Sequence, residues 1–327
     1  MSQPLVSLTI ITYNQASLVR ATLDSAVSHD YERLEVVVAD DGSTDGTVDI
    51  LREYEARHPG RVRVVTGPNL GITGNSNRAL WACQGELIAF LGGDDLLLPG
   101  KIAAQVAWLN ASRDRVLCGH DVEHFSSETG HRVLLHSQLT RLHQGVGPRP
   151  FIEMGSLFAA ISVMVKRSAV PSYGFDERLP SVSDGKLWID TTMKGGAFGY
   201  VPGVLARYRR DASSITRSNH QGVLKQEYQL LDIVESEHPE LIGACRKGRA
   251  RLHRREGIAA LLANSPEQAR QELLESLRLD PLASAKTPIW LGLSYAPSGA
   301  RGSLRSLATQ VGKVRSRLLH GHKRSSA

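Results

Sequence analysis

The stretch "LEVVVADDGSTDGTVDILREYEARH", residues 34–58, decides how this chain is read. It begins with a short run, Leu34 to Asp40, that is apolar on both faces. Such a run fits a strand covered on both sides, as in a parallel sheet flanked by helices. It stops at Asp40-Asp41-Gly42-Ser43, residues that favour turns and helix caps. Residues 45–58 then follow as a helix.

The same unit recurs on either side. "LVSLTIIT" (5–12) reads as a strand, and "ASLVRATLDSAVSH" (16–29) carries Leu18, Val19, Leu23, Ala26 and Val27 at helical spacing. "RVRVVT" (61–66) is a third strand, "TGNSNRALWAC" (73–83) a helix ending near Gly85, and "ELIAFLG" (86–92) a fourth strand. This alternation predicts an α/β fold with right-handed crossovers. After Pro99 a helix is expected to about Asn110; "RVLCGHDVEHF" and "HRVLLH" read as a strand pair, and "AAISVMVKR" (159–167) as another strand. "SDGKLWIDTTMKGG" (183–196) reads as a helix that Asp184 helps to cap, and "FGYVPGVLARYR" (198–209) as a strand. From about Val223 the pattern is helical only. "LHRREGIAALLAN" followed by "SPEQARQELLESLRLDP" resembles one tetratricopeptide-type hairpin, with Ser265, Pro266 and Gln268 spaced as a capping box. The division expected is 1–216 for the α/β domain, 217–300 for a helical extension and 301–327 for a basic, flexible tail.

Charge narrows the function classes. The net +6 of the 327 residues arises in the tail, where seven Lys/Arg stand without Asp or Glu. The rest holds 32 basic and 33 acidic residues, so the body is not a nucleic-acid binder by charge. Cys83, Cys118 and Cys245 are odd in number and widely spaced, which fits a reducing compartment rather than a disulfide or zinc framework. No apolar stretch is long enough to span a bilayer and no secretory signal is evident. A cytoplasmic protein is expected, with the tail as a candidate contact for anionic lipid at the inner membrane face.

In a parallel sheet, ligands bind at the carboxyl ends of the strands. Here those ends carry Thr12-Tyr13-Asn14, Asp40-Asp41, Asn69 and Asp94-Asp95. "DDGSTDG" taken alone reads as a turn, and Asp94-Asp95 alone as a helix cap. Together they make a rim of carboxylates, and neighbouring carboxylates repel unless a cation or water intervenes. A hard divalent ion that also bridges phosphates relieves that repulsion. The turn after the first strand, "TYNQAS", has no glycine, so a dinucleotide-type glycine cradle is excluded.

In order and spacing, "VSLTIITYNQ", "VVVADDGSTDGT", "NLGITGNSNRAL", "GELIAFLGGDDLLLPGKI" and "SDGKLWIDTTMKGG" resemble family 2 glycosyltransferases of the GT-A fold over residues 5–216. The resemblance implies a Rossmann-like, mostly parallel sheet flanked by helices, here with a C-terminal helical appendage. It also implies inverting transfer of a sugar from a nucleotide diphosphate sugar (UDP-, GDP- or dTDP-) to a glycan or lipid-linked acceptor, with Mg²⁺ or Mn²⁺. By position it assigns Thr12, Tyr13, Asn14, Asp40 and Asp41 to the nucleoside, and Asn69 and Asn77 to the nucleotide side. Asp94 falls on the second Asp of the Asp-x-Asp metal motif, with Asp95 beside it, and Asp184 on the catalytic base. Gly174 to Asp176 in "GFDERL" match a loop near the acceptor.

Four positions depart from the family pattern. Gly92 replaces the first Asp of the metal motif, Ser183 the acid before the base, and Ser76 an Arg of the third motif. Tyr208-Arg209-Arg210-Asp211 stands for Tyr-Arg-x-His, which leaves Asp211 as a candidate metal ligand and Arg209 as a diphosphate contact. The histidines, including His120, His124, His131 and His136, read as surface or structural groups, and Trp81 and Trp188 as core. The expected function is metal-dependent glycosyl transfer in polysaccharide or glycolipid assembly. The alternatives are a sugar nucleotidyltransferase, which would need a Gly-rich basic N-terminal loop, and an inactive scaffold.

Overall fold

Each apolar run of the first hundred residues becomes a strand of one sheet in the computed structural model, which describes residues 3–140, 143–210, 220–282 and 287–297. The order is β1 (Val6–Thr12), α1 (Val19–Val27), β2 (Leu34–Asp40), α2 (Thr47–Arg57), β3 (Val62–Thr66), α3 (Gly71–Ala82) and β4 (Leu87–Gly92). These four strands pair in parallel in the order β3-β2-β1-β4. Thr12 lies opposite Asp40, and Ile11 opposite Gly92. The chain therefore moves outward from β1 to β3 and returns to β1's other side at β4. That reversal is a topological switch point, where a crevice opens at the strands' carboxyl ends. The core beneath it is made by Val6, Leu8, Ile10, Val36, Val38, Leu87, Ala89 and Leu91, all buried.

Past β4 the sheet becomes mixed. The following elements are β5 (Leu96–Leu97), α4 (Lys101–Asn110), β6 (Arg115–Ser126), β7 (Arg132–Leu135), β8 (Gly145–Val146), α5 (Arg149–Met154), β9 (Met164–Lys166), α6 (Ser183–Thr192) and β10 (Ala197–Arg210). β9 runs antiparallel between β4 and β6, and β6 pairs in parallel with β10. β7 pairs antiparallel with β6, the hairpin expected from "RVLCGHDVEHF" and "HRVLLH". β10 also pairs antiparallel with β5, placing Ala206 opposite Leu97. The strand expected over 159–167 is shorter. Ser162 donates from both its N–H (2.8 Å) and its Oγ (2.7 Å) to Ala159 O, closing a short helical turn before the strand can begin.

The described residues group into two compact units, one drawn from Met1–Phe151 and Ser156–Gln226 and the other from Ile152–Gly155 and Glu227 onward. The later helices are α7 (His220–Glu237), α8 (Ile242–Leu262), α9 (Pro266–Leu279) and α10 (Thr287–Ser294). α8 and α9 form a hairpin around Ala260, Leu261 and Ala269, with Trp290 and Leu293 of α10 against them. Asn264 makes the turn in the left-handed region (φ 63°). Ser265 is the N-cap and Pro266 follows it, yet no side-chain cap bond forms, so the expected capping box is absent. No helix among the described residues is long and apolar enough to cross a membrane. The basic tail lies outside the described residues, as does Asp211.

Candidate functional site

The crevice wall is built first from the loops after β1 and β2, which are stitched to each other. Asn14, with φ 50°, takes the left-handed conformation that Asn tolerates better than most residues. Its N–H donates to Ser43 Oγ (2.8 Å), and its Oδ1 accepts from Thr44 N (2.9 Å). Gln15 N donates to Thr47 Oγ1 (2.9 Å) and Ala16 N to Asp45 Oδ2 (3.0 Å). Tyr13 is half-exposed at the rim.

The two aspartates after β2 are turned onto backbone. Asp40 Oδ1 accepts from Gly42 N (3.1 Å) and Ser43 N (2.8 Å), and its Oδ2 from Ser43 Oγ (2.5 Å). Asp41 reaches across to α3, whose first N–H groups have no partner inside the helix. Leu70, at the N-cap of α3, has no side chain able to help. Asp41 supplies the cap instead, accepting from Leu70 N (2.8 Å) and Gly71 N (2.9 Å), with Arg78 Nη1 at 3.3 Å. Its negative charge at a helix N-terminus is also favourable. Both residues, expected at the nucleoside, are thus engaged in shaping the wall. Asn69 lies exposed at the rim, its Oδ1 accepting from Gly71 N (3.2 Å). Asn77 is not at the rim. Its amide is taken up by Phe175 and Glu177, on the loop before α6.

Two polar atoms are buried here without a hydrogen-bond partner among the described residues, Thr12 Oγ1 and Gln15 Oε1. Both residues crowd Gly93, where a side chain would collide with Gln15 Oε1 and Thr12 Cβ. Gln15 was not singled out from sequence. Its only signal was its place directly after Thr12-Tyr13-Asn14.

Beside them, at the end of β4, stand Asp94 and Asp95. Asp94 Oδ1 and Asp95 Oδ2 lie 3.0 and 2.9 Å from where a Cβ on Gly92 would sit. The carboxylates therefore converge on the glycine's backbone, and a side chain at 92 would displace them. Asp95 is buried, and its pKa is pushed well above the usual carboxylate range, first by burial and then by Asp94. Its Oδ1 accepts from Arg209 N (2.8 Å), and Arg209 Nε donates to Asp94 O (2.7 Å). The antiparallel pairing of β10 with β5 brings Arg209 to this point, and its guanidinium sits 4.7 Å from the Phe125 ring centroid. The structure thus brings Arg209 to Asp94 and Asp95, which are far from it in sequence. Among the described residues no cluster of three or more His, Cys, Asp or Glu is arranged to hold a metal.

Asp184 occupies the first turn of α6. It is not the cap: Val182 is, and Asp184 Oδ1 accepts from its neighbour Gly185 N (2.8 Å). Four residues on, and so on the same helix face, the buried Trp188 packs edge-on against Phe90 of β4, centroids 5.3 Å apart. Burial raises the Asp184 carboxyl pKa, with backbone N–H groups as the opposing influence. The next charged residue on α6, Lys186, is buried and pairs with Asp190 (2.7 Å). Trp188 is core as expected, but Trp81 is half-exposed, because its face of α3 looks outward. His120 and His124 are buried and structural; His124 stacks on His136 (centroids 5.7 Å).

The sequence model described as "Glycosyl transferase family 2" matches residues 7–164, just under half of the chain. Chondroitin synthase of Escherichia coli is 42% identical over 99 residues, which is 30% of this chain and 14% of that protein. The chain spans 14% to 36% of the length of this relative and the next two. Among solved structures, S. aureus TarS 1–349 in complex with UDP-GlcNAc aligns with TM-score 0.64 at 17% identity, covering 94% of this chain and 92% of that one. The mannosyltransferase PcManGT from Pyrobaculum calidifontis, in complex with GDP-Man and Mn²⁺, aligns with TM-score 0.59 at 19% identity, covering 99% and 89%. At such identities the structural likeness is one of fold.

Proposed function

Residues 7–164 are a glycosyl transferase family 2 domain on a GT-A fold, and from that premise we propose that the chain transfers a sugar, with inversion, from a nucleotide diphosphate sugar to an acceptor hydroxyl. One observation carries the reading. The carboxyl ends of β1, β2 and β4 meet at the switch point, and there Asp94, Asp95 and Arg209 gather beside the buried, unpartnered Thr12 Oγ1.

The donor set at this point fits Mg²⁺ or Mn²⁺. Ions of this kind are commonly held by one or two carboxylates together with substrate phosphates and water. Asp94 and Asp95 would hold the ion, with Asp95 in the place of the carboxylate absent at Gly92. When bound, it supplies charge stabilisation to a departing diphosphate. Arg209 stands next to the same carboxylates and adds a fixed positive charge for the diphosphate. The loops tied by Asn14, Asp40 and Asp41, together with Tyr13 and Asn69 on the rim, form the nucleoside end. Asp184 takes the acceptor hydroxyl's proton. Its raised pKa makes it a stronger base than an exposed aspartate, and its charge is opposed mainly by burial, with backbone N–H groups as the compensating influence. We place the reaction in the cytoplasm, on a glycan or lipid-linked acceptor of polysaccharide or glycolipid assembly.

Release of nucleoside diphosphate from UDP-, GDP- and dTDP-sugars with Mg²⁺ or Mn²⁺ tests this reading. Turnover of at least one donor, lost in Asp184→Asn and Asp94→Asn, is expected. A wild-type protein that neither binds nor turns over any donor would overturn the reading and leave an inactive scaffold.

A further inference from the structure

One face of α3 is tied to the nucleoside wall, and another grips the segment that leads to Asp184. Its N-terminus is held by Asp41, Asn75 Nδ2 donates to Ala39 O (2.9 Å), and Arg78 Nη1 donates to Asp40 O (2.9 Å). One face of the helix is thus fixed to the end of β2.

Two buried side chains, one turn apart on α3, point the other way. Thr73 Oγ1 donates to Leu179 O (2.9 Å) and lies 2.9 Å from Ser183 Oγ. A hydroxyl has one hydrogen to give. Since Thr73 gives its hydrogen to Leu179, Ser183 is the donor to Thr73, and the chain Ser183→Thr73→Leu179 has a single direction. Asn77 closes a second bridge: its Nδ2 donates to Phe175 O (2.9 Å) and its Oδ1 accepts from Phe175 N (2.8 Å). That amide mimics a strand partner for the loop. The loop can come this close because Gly174, at φ 72°, has no side chain to strike Asn77, Leu80 and Trp81. Ser183 directly precedes Asp184, so the Thr73 bridge ends one residue from the base.

We propose that Thr73 and Asn77 are positioning residues for the base, and that α3 is a strut setting the distance between the nucleoside wall and Asp184. The inference rests on the role given to Asp184 under the proposed function. It also accounts for Ser183. A serine completes the hydroxyl chain to Thr73, where a carboxylate would be buried beside Thr73 with no hydrogen to donate.

The test uses the full-length chain with Thr73→Val, Thr73→Ser and Ser183→Ala, read in two ways. In hydrogen–deuterium exchange, Thr73→Val and Ser183→Ala are expected to speed exchange of the amides in 179–187 about tenfold, and Thr73→Ser to leave them near wild type. In nucleoside diphosphate release from the UDP-, GDP- and dTDP-sugar panel, Thr73→Val is expected to lower kcat about tenfold with donor KM within twofold. The same variant should shift the acidic limb of the kcat–pH profile, where the base loses its proton, and Thr73→Ser should recover most of the rate. Unchanged exchange in both Thr73→Val and Ser183→Ala overturns the strut. So does a Thr73→Val that raises donor KM and leaves kcat intact. If wild type turns over no donor, the function reading fails, while the exchange data still decide whether α3 holds the segment before Asp184.

Discussion

Two groups of aspartates, one after β2 and one after β4 and on α6, are close in type and opposite in treatment. Asp40 and Asp41 give their oxygens to backbone N–H groups of their own turn and of α3. Asp95 and Asp184 are crowded by protein, and burial pushes both pKa values up. Lys101, in the first turn of α4, belongs with the second group. It is fully buried, donates to Ile161 O (2.9 Å), and burial pushes its pKa down to about 7. The first group shows carboxylates used to build a rigid loop. The second shows charge held against its preference, the condition under which groups gain chemical use.

The largest effect separating the two groups should appear in turnover. Asp184→Asn is expected to lower kcat by about 10²–10⁴-fold. Its melting temperature should stay near wild type, because among the described residues the carboxylate bonds its neighbour Gly185 and no distant element. Asp41→Ala should act the other way round. It removes the carboxylate that accepts from Leu70 N and Gly71 N and the ion pair with Arg78, which should cost about 2 kcal/mol in denaturant unfolding. If Asp41→Ala is as stable as wild type, the wall is not built as described.

Asp95→Asn keeps an acceptor for Arg209 N and removes a buried charge beside Asp94. Because the folded pKa is raised, Asp95 favours folding below the ordinary carboxylate pKa and loses that contribution as pH rises through the raised value. The variant should therefore match wild type at low pH and melt higher at pH 8, while losing Mn²⁺- or Mg²⁺-dependent turnover. A lower melting temperature at pH 8 would break the comparison. The smallest effect is expected at Lys101→Met, a gain of about 1 kcal/mol at pH 6. With the folded pKa at about 7, well below the usual lysine value, wild type recovers stability as pH rises above 7, so the gain should shrink toward pH 10.

Local pattern was enough for much of the molecule. The strand ends at Thr12, Asp40 and Gly92 fall where apolar alternation stops, and α4 runs to Asn110 as expected. Such features depend on neighbours in sequence. The capping box at Ser265 does not form, and the long strand over 159–167 is cut short because the Ser162 hydroxyl takes a backbone partner that pattern does not encode. Trp81 was misread because its residue type favours burial, while its place on α3 leaves it half-exposed. Asn77 matched a motif by position, yet its amide reached Phe175, 98 residues away in the chain.

By itself, the sequence determined the parallel alternation, the polar rim at the strand ends and the identity of the aspartates there. These follow from periodicity and from residues that stop strands, both local properties. Only the tertiary structure decided which aspartates would be satisfied and which strained. It pairs β10 with β5, bringing Arg209 to Asp94 and Asp95 across more than a hundred residues, and it sets α6 over β4 through Trp188 and Phe90. It also buries Lys101, which a helix start after Pro99-Gly100 would leave in water. Burial and distance set the cost of a charge, and neither exists until distant parts of the chain meet.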